Sequence, residues 1–264
     1  MATARKLFNA IQSNKEEIPL NKQFLRSVME NIELKSVEGA RPSSNWYKPS
    51  GLGCIRQMYF GRIQAPKDER PSEYNAIGMA DTGTRRHEAI QDVLMFMSDK
   101  SDWVYLDVAE YIENKQKQGK LLNIIVKGKR GVETHLFDKT LQTSFMCDGL
   151  LLYKPTNTNY LFEFKNQISF KFKDKKCVDK EHHNQVTCYC TSLDLDYALV
   201  LYEDRDTTTL ECPEVFEVTQ EMKNNLVSHI MECEDYVERM IVPPKPDNVK
   251  CNFCGYKSMC RKSG

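Results

Sequence analysis

Two carboxylates and one lysine in the middle of the chain have the types and spacing expected of a catalytic site. Asp148 comes late in a predicted strand over residues 143–153, and Glu163 and Lys165 lie two apart in the next predicted strand. Because side chains alternate along a strand, Glu163 and Lys165 share one face of the sheet. A turn at residues 154–159 joins the strands into a hairpin, which can bring that face close to Asp148.

Hydrolysis of a phosphodiester is a reaction that needs these side chains. Carboxylates on otherwise apolar strands are costly to bury, and they offset that cost by coordinating a divalent cation. A bound Mg²⁺ or Mn²⁺ activates water and neutralises phosphate charge, and a nearby lysine stabilises the transition state. The alternative is two edge carboxylates and a surface lysine on an ordinary hairpin, since Asp-Gly and Glu-x-Lys are common sequences.

Two predicted helices flank these strands and carry further polar residues. His87 lies on a helix expected to begin at residues 81–84, on the inward face with the apolar residues Ile90, Val93, Leu94 and Met97. Gln185 and Tyr189 lie four apart on one face of a helix predicted over residues 181–193. Each residue alone is explained by ordinary core packing, so only the ordered set points to a function.

The order of these motifs resembles the RecB-like branch of the PD-(D/E)XK nucleases over residues 83–189. That branch has a G-x-x-x-H helix, an aspartate strand, an E-x-K strand and a Q-x-x-x-Y helix. The resemblance implies an α/β fold with a central mixed sheet flanked by helices, and Lys165 as the catalytic lysine. It implies that Gln185 and Tyr189 contact DNA or support the site. It also implies these ligands for Mg²⁺ or Mn²⁺: His87, Asp148, Glu163 and the carbonyl of Phe164.

Four cysteines form a second candidate site. Cys251, Cys254 and Cys260 close the chain as C-x2-C-x5-C, and Cys54 lies far upstream. A C-x2-C pair presents two thiolates to one metal centre. Four thiolates suit either tetrahedral Zn²⁺ or an iron–sulfur cluster, and the spacing leaves both open.

The residues around Cys54 favour the cluster. The segment at residues 54–59, CIRQMY, with a distant C-x2-C-x5-C, resembles the iron–sulfur RecB-like nucleases. These include the AddB nuclease domain and the CRISPR-associated Cas-four type exonucleases. The resemblance then covers about residues 50–260 and implies a 4Fe-4S cluster that joins the two ends of the chain around the nuclease core. The other six cysteines lack comparable spacing and are predicted to be core or incidental residues.

A lysine-rich segment follows the catalytic strand and is the predicted DNA contact. Lys171, Lys173, Lys175 and Lys176 are interleaved with phenylalanines. Lysines pair with phosphates, and exposed aromatic rings stack on unpaired bases. A solvated charged loop is the alternative.

Composition is that of an ordinary globular protein, with 264 residues, 41% hydrophobic and 28% charged. The net charge of zero excludes a basic coat but leaves room for a local basic groove. Ten cysteines are too few for a disulfide scaffold. The apolar runs are too short to cross a membrane, and residues 1–10 lack a secretory signal, so we expect a cytoplasmic protein.

The remaining pattern gives the expected organisation. Residues 1–46 are predicted to be a helical extension and residues 47–264 a nuclease domain with further strands at 132–137, 197–203 and 215–218 and a helix at 220–239. We expect a metal-dependent DNA exonuclease acting on single-stranded ends, with partners in recombination, repair, replication or CRISPR adaptation. The alternatives are a catalytically silent DNA-binding module of this fold and a zinc-bearing restriction-like endonuclease.

Overall fold

A computed structural model describes residues 19–38, 44–68, 74–130, 133–246, 251 and 254–263, without the side chains of 36–38, 74–76 and 130. Half of the predicted helical extension over residues 1–46 therefore lies outside the described residues, and in the other half residues 20–38 form a helix. Two compact units are distinguished, Met1–Pro42 with Arg70–Asp81 and Ser43–Glu69 with Thr82–Gly264.

Helices and strands occur in runs along the described chain. The helices are α1 Leu20–Glu38, α2 Ile55–Arg62, α3 Tyr74–Met97, α4 Val108–Lys117, α5 Ser169–Phe172, α6 Lys180–Leu193, α7 Gln220–Glu238 and α8 Lys257–Lys262. The strands are β1 Trp103–Leu106, β2 Ile124–Arg130, β3 Glu133–Asp138, β4 Thr143–Cys147, β5 Gly149–Tyr153, β6 Thr158–Gln167, β7 Tyr197–Asp204, β8 Leu210–Glu211 and β9 Val215–Glu217. No helix within these described segments is long and apolar enough to span a membrane.

The larger unit contains a main sheet and a small sheet. In the main sheet the order is β1-β5-β6-β7-β8, with β9 also paired to β7. Only the β6–β7 pair is parallel among the described ladders, and α6 lies on the crossover between these two strands. The small sheet is the antiparallel run β2-β3-β4.

Helices cover both faces of the main sheet. On one face, Ile90 and Leu94 of α3 pack with Phe162 and Phe164. On the other face, Val186 and its neighbours on α6 pack with Leu161 and Val200. The predicted α/β fold with a central mixed sheet flanked by helices is therefore confirmed.

The β5–β6 hairpin is confirmed, and its turn contains Asn157 at φ 52, a left-handed conformation that asparagine tolerates well. The predicted helices at 181–193 and 220–239 and strands at 197–203 and 215–218 are also confirmed within one or two residues. Residues 98–131, for which no elements were predicted, form β1, α4 and β2.

Three sequence-based predictions about local structure were wrong. The helix carrying His87 begins at Tyr74 rather than at 81–84, because polar residues on an exposed helix face cost too little to end it. Val93, predicted to face inward, is 58% exposed. The predicted strand at 143–153 is two strands in different sheets, and Asp148 lies at the junction between them.

Candidate active site

Sheet register brings three carboxylates together at the junction between the two sheets. In the small sheet Thr134 pairs with Cys147, and in the main sheet Gly149 pairs with Phe162. Continuing each antiparallel ladder by one residue places Asp148 beside Glu133 on one side and beside Glu163 on the other. Asp148, the single residue between β4 and β5, therefore lies next to an acidic residue from each of the two sheets.

Hydrogen bonds to both its backbone and its side chain fix Asp148. Its Oδ2 accepts the backbone N–H of Phe164 at 2.8 Å, and its backbone carbonyl accepts Gln91 Nε2 at 2.5 Å. Asp148 is 3% exposed, and its Oδ1 faces His87. Gln91, which sequence reasoning did not select, orients the carboxylate by holding the backbone that carries it.

His87 completes a group of three ligand atoms. Its Nδ1 lies 3.3 Å from Asp148 Oδ1 and 3.7 Å from Glu133 Oε1, and its ring meets Phe164 edge-on at 4.9 Å between centroids. The ligand atoms of His87, Glu133 and Asp148 all lie within 4.8 Å of one another. Burial lowers the pKa of His87, but the facing carboxylates of Asp148, Glu163 and Glu133 raise it to a net value above its usual range.

The position of His87 is fixed by its neighbour on α3. The guanidinium of Arg86 binds both carboxylate oxygens of the buried Glu203 on β7. Asn166 Nδ2 donates to the same carboxylate at 2.8 Å. This ion pair ties α3 to the main sheet one residue before His87.

The negative charge of the buried Glu163 carboxylate is only partly compensated by neighbouring groups. Its Oε1 accepts Lys165 Nζ at 2.6 Å and Gln185 Nε2 at 2.8 Å, whereas its buried Oε2 has no hydrogen-bond partner among the described residues. Burial, and then the charge of Asp148, raise the pKa of Glu163 to about 7 despite the opposing effect of Lys165. A divalent cation would pair with the open oxygen and relieve the repulsion between the carboxylates.

Gln185 and Tyr189 lie inside the site. Gln185 Oε1 accepts Lys165 Nζ at 3.0 Å, and Gln185 Nε2 donates to the Tyr189 hydroxyl at 2.9 Å. The Tyr189 ring stacks on Phe145 at 4.5 Å between centroids. Both residues are buried, so their contacts position Lys165 and Glu163.

The predicted backbone ligand also has a suitable position. The N–H and C=O of one strand residue point toward the same neighbouring strand. The Phe164 N–H points to Asp148, so its carbonyl lies on the edge of β6 that faces Asp148. Carboxylate, carbonyl and imidazole donors together form a ligand set suited to Mn²⁺, and the oxygens among them suit Mg²⁺.

His182 is a further residue near the site that the sequence did not select. The Tyr202 hydroxyl accepts the backbone N–H of Asp179 at 3.0 Å and forms a second hydrogen bond with His182 Nδ1 at 2.9 Å. Burial, and then the charge of Lys165, lower the pKa of His182 to about 4. The imidazole is therefore neutral near pH 7.

The lysine-rich segment divides into exposed and buried side chains. Lys171, Lys173 and Lys176 are exposed, and Lys171 pairs with Glu181 at 3.0 Å. The side chain of Lys175 is only 5% exposed, and its Nζ binds both oxygens of Asp179 at 2.7 and 2.8 Å. The ammonium of Lys175 is thus committed to an internal ion pair.

The four cysteines that the sequence predicts as metal ligands are less closely grouped than the carboxylates. Cys54 precedes α2, and the Arg56 Nη1 donates to Cys260 Sγ at 3.3 Å and to the Cys260 carbonyl at 2.9 Å. The Tyr256 N–H donates to Cys254 Sγ at 3.5 Å. Burial raises the pKa of Cys54, and the charges of Cys254 and Cys260 raise it further.

The spacing of the sulfurs is nevertheless wide. In the described part of the chain no three cysteine sulfurs lie within 4.8 Å of one another. A tetrahedral zinc ion, with Zn–S bonds of about 2.3 Å, would hold its sulfurs roughly 3.8 Å apart. Cys251 is described without its neighbours at 252 and 253.

Comparisons with known proteins add little to this geometry. No protein-family model matches the chain, and no curated protein matches it. The crystal structure of SSO0001 is similar with a TM-score of 0.47 and 13% identity, covering 91% of this chain and 98% of that chain. A likeness of this size carries no conclusion about fold family or activity.

Proposed function

We propose that this protein is a metal-dependent DNA nuclease of the RecB-like PD-(D/E)XK type. The observation that carries the proposal is the convergence of His87, Glu133 and Asp148, whose ligand atoms lie within 4.8 Å of one another, next to the buried Glu163 and its partner Lys165. Placing two buried carboxylates and a third, partly exposed one together without a cation is unfavourable. An ordinary structural hairpin gains nothing from this arrangement.

Each side chain has a defined task in this proposal. His87, Glu133, Asp148, Glu163 and the Phe164 carbonyl would hold Mg²⁺ or Mn²⁺. The ion supplies an activated water and neutralises charge on the scissile phosphate.

Lys165 is held by Glu163 and Gln185, so its ammonium is oriented before substrate arrives. It would stabilise the charged transition state. Glu133 extends the ligand set that the sequence resemblance implied.

The proposed substrate is single-stranded DNA with a free end. Exposed Lys171, Lys173 and Lys176 follow the catalytic strand, and Phe170 is 90% exposed. Cations that pair with phosphates, next to an aromatic ring that can stack on bases, suit an unpaired strand. The proposed roles in recombination, repair, replication or CRISPR adaptation rest on the sequence resemblance alone, and the cytoplasmic setting is an expectation from the sequence pattern.

We further propose a 4Fe-4S cluster bound by Cys54, Cys251, Cys254 and Cys260. N–H donors directed at the sulfurs of Cys254 and Cys260 are the hydrogen bonds that tune such clusters. The cluster would join residue 54 to the C-terminal segment. Iron and sulfide analysis of protein purified without oxygen tests this, and stoichiometric zinc without iron would contradict it.

A cleavage assay tests the central proposal. End-labelled single-stranded, blunt duplex and circular single-stranded DNA are incubated with Mg²⁺ or Mn²⁺, and parallel samples contain EDTA. We expect metal-dependent cleavage that is fastest on linear single strands.

Binding without cleavage would favour the silent DNA-binding module. Equal cleavage of circles would show an endonuclease. Activity in EDTA would contradict the proposed mechanism.

A further inference from the structure

One face of the small sheet leads directly away from the carboxylates. Glu133, His135 and Phe137 alternate along β3 and therefore point the same way. In the β3–β4 ladder His135 pairs with Met146, and continuing the register places Glu133 opposite Asp148. This face therefore begins at the metal ligands and extends about 13 Å to Phe137.

Aromatic rings gather at the far end of this face. Trp46 meets Phe137 edge-on with 4.9 Å between ring centroids, and the His135 ring lies 4.8 Å from Phe137. All three residues are half-buried, so each ring keeps part of its surface open. Leu136, which points to the opposite face of β3, is fully buried in the core.

Exposed cations border these rings. Lys127 lies on β2 with its Nζ 5.4 Å from the centre of the Phe137 ring, and it forms no ion pair with a described residue. Lys48 Nζ donates to Ser144 Oγ at 3.0 Å, the hydroxyl that also contacts His135 Nε2. The face therefore combines open aromatic surface with positive charge.

We propose that this face, the β3–β4 stripe, binds a single DNA strand and leads it to the carboxylates. The stripe consists of Trp46, Lys48, Lys127, His135, Phe137 and Met146. Rings that accept stacked bases, together with lysines that pair with phosphates, are the two components of single-strand binding sites. The role as a substrate path rests on the nuclease activity proposed above.

Tryptophan fluorescence provides a direct test, because Trp46 and Trp103 are the two tryptophans of the chain. Trp103 packs against Tyr153 and Tyr160 on the main sheet. In a Trp103→Phe protein, Trp46 is the sole reporter. Titration with oligodeoxythymidylate in EDTA should quench Trp46, and an abasic oligonucleotide of equal length should quench it far less.

Affinity measurements complete the test. Trp46→Ala should weaken oligodeoxythymidylate binding roughly tenfold, and Trp46→Phe should restore most of it. Lys127→Ser should reduce the salt dependence of binding. Phe96→Ala and Lys100→Ser are matched controls, since Lys100 lies 3.8 Å over Phe96 on an exposed face of α3. Both should bind normally.

The outcomes separate this proposal from the nuclease itself. If oligodeoxythymidylate quenches Trp46 but the protein cleaves no DNA, the β3–β4 stripe would be supported and the nuclease activity contradicted. DNA binding with Trp46 unquenched, and with Trp46→Ala and Lys127→Ser binding as tightly as the unchanged protein, would overturn the stripe even if cleavage is normal.

Discussion

The carboxylate site and the cysteine site differ in what assembles them. Asp148 is placed by two strand ladders and held by Phe164 and Gln91, so the fold itself brings the acidic groups within reach of one ion. The cysteines come from the residue before α2 and from the C-terminal segment, and their described sulfurs do not form a group of three within 4.8 Å. We infer that the first site is preorganised for chemistry, whereas the second depends on its metal to hold the chain together.

The largest expected effect is loss of activity without loss of stability at the carboxylate site. Lys165→Ala removes the oriented ammonium and should slow single-turnover DNA cleavage by roughly 10²–10³-fold. With Mg²⁺ present the melting temperature should change far less than the cleavage rate, because the cation compensates the Glu163 carboxylate that otherwise pairs with Lys165. Lys154→Ala, at the other end of the β5–β6 hairpin, serves as the control and should cleave normally.

The cysteine site should behave in the opposite way. Cys54→Ser removes one of the four proposed ligands, and metal binding contributes to folding when a site closes distant segments. Iron content and melting temperature should both fall, and activity should fall as a consequence. Cys212→Ser, at an exposed cysteine, is the matched control. A Cys54→Ser protein with an unchanged iron content and melting temperature would contradict the inference that the cysteine site depends on its metal to stabilise the chain.

Some residues of the carboxylate site could be predicted from the sequence and others could not. Glu163 and Lys165 were predictable because alternation along one strand is a local property. Glu133 was missed because its approach to Asp148 depends on the register between β3 and β4, which the sequence does not specify. The break at Asp148 was missed for a related reason. The apolar pattern continues through residues 143–153 although the chain changes sheets there.

A smaller effect concerns the pH dependence of stability that the raised pKa of Glu163 causes. In EDTA the folded-state pKa of about 7 exceeds the usual 4.5, so the folded protein binds more protons than the unfolded chain between these values. Stability should therefore fall as pH rises from about 4.5 to 7.

Glu163→Gln removes this contribution. Its melting temperature relative to the unchanged protein should rise between pH 5 and pH 8, whereas the exposed Glu113→Gln should show no such trend. A pH-independent difference for Glu163→Gln would mean that burial and the charge of Asp148 do not raise the pKa of Glu163 as inferred.

The smallest effect separates two adjacent lysines. Lys175→Ser breaks the internal ion pair with Asp179 and should lower the melting temperature without altering the salt dependence of DNA binding. Lys176→Ser should leave the melting temperature unchanged. It should reduce the salt slope of DNA binding by about 0.7 if Lys176 contacts one phosphate of a single strand. Identical salt slopes for Lys176→Ser and the unchanged protein would make the lysine-rich segment a solvated loop.

The most direct measurement of the central claim is calorimetric titration of the purified protein with MnCl2. We predict a binding event that is lost in Asp148→Asn and weakened in Glu133→Gln. Asp179→Asn should retain it, although Asp179, Glu181 and His182 also have ligand atoms within 4.8 Å of one another. Mn²⁺ binding that persists in Asp148→Asn would contradict the assignment of the metal to the junction of the two sheets.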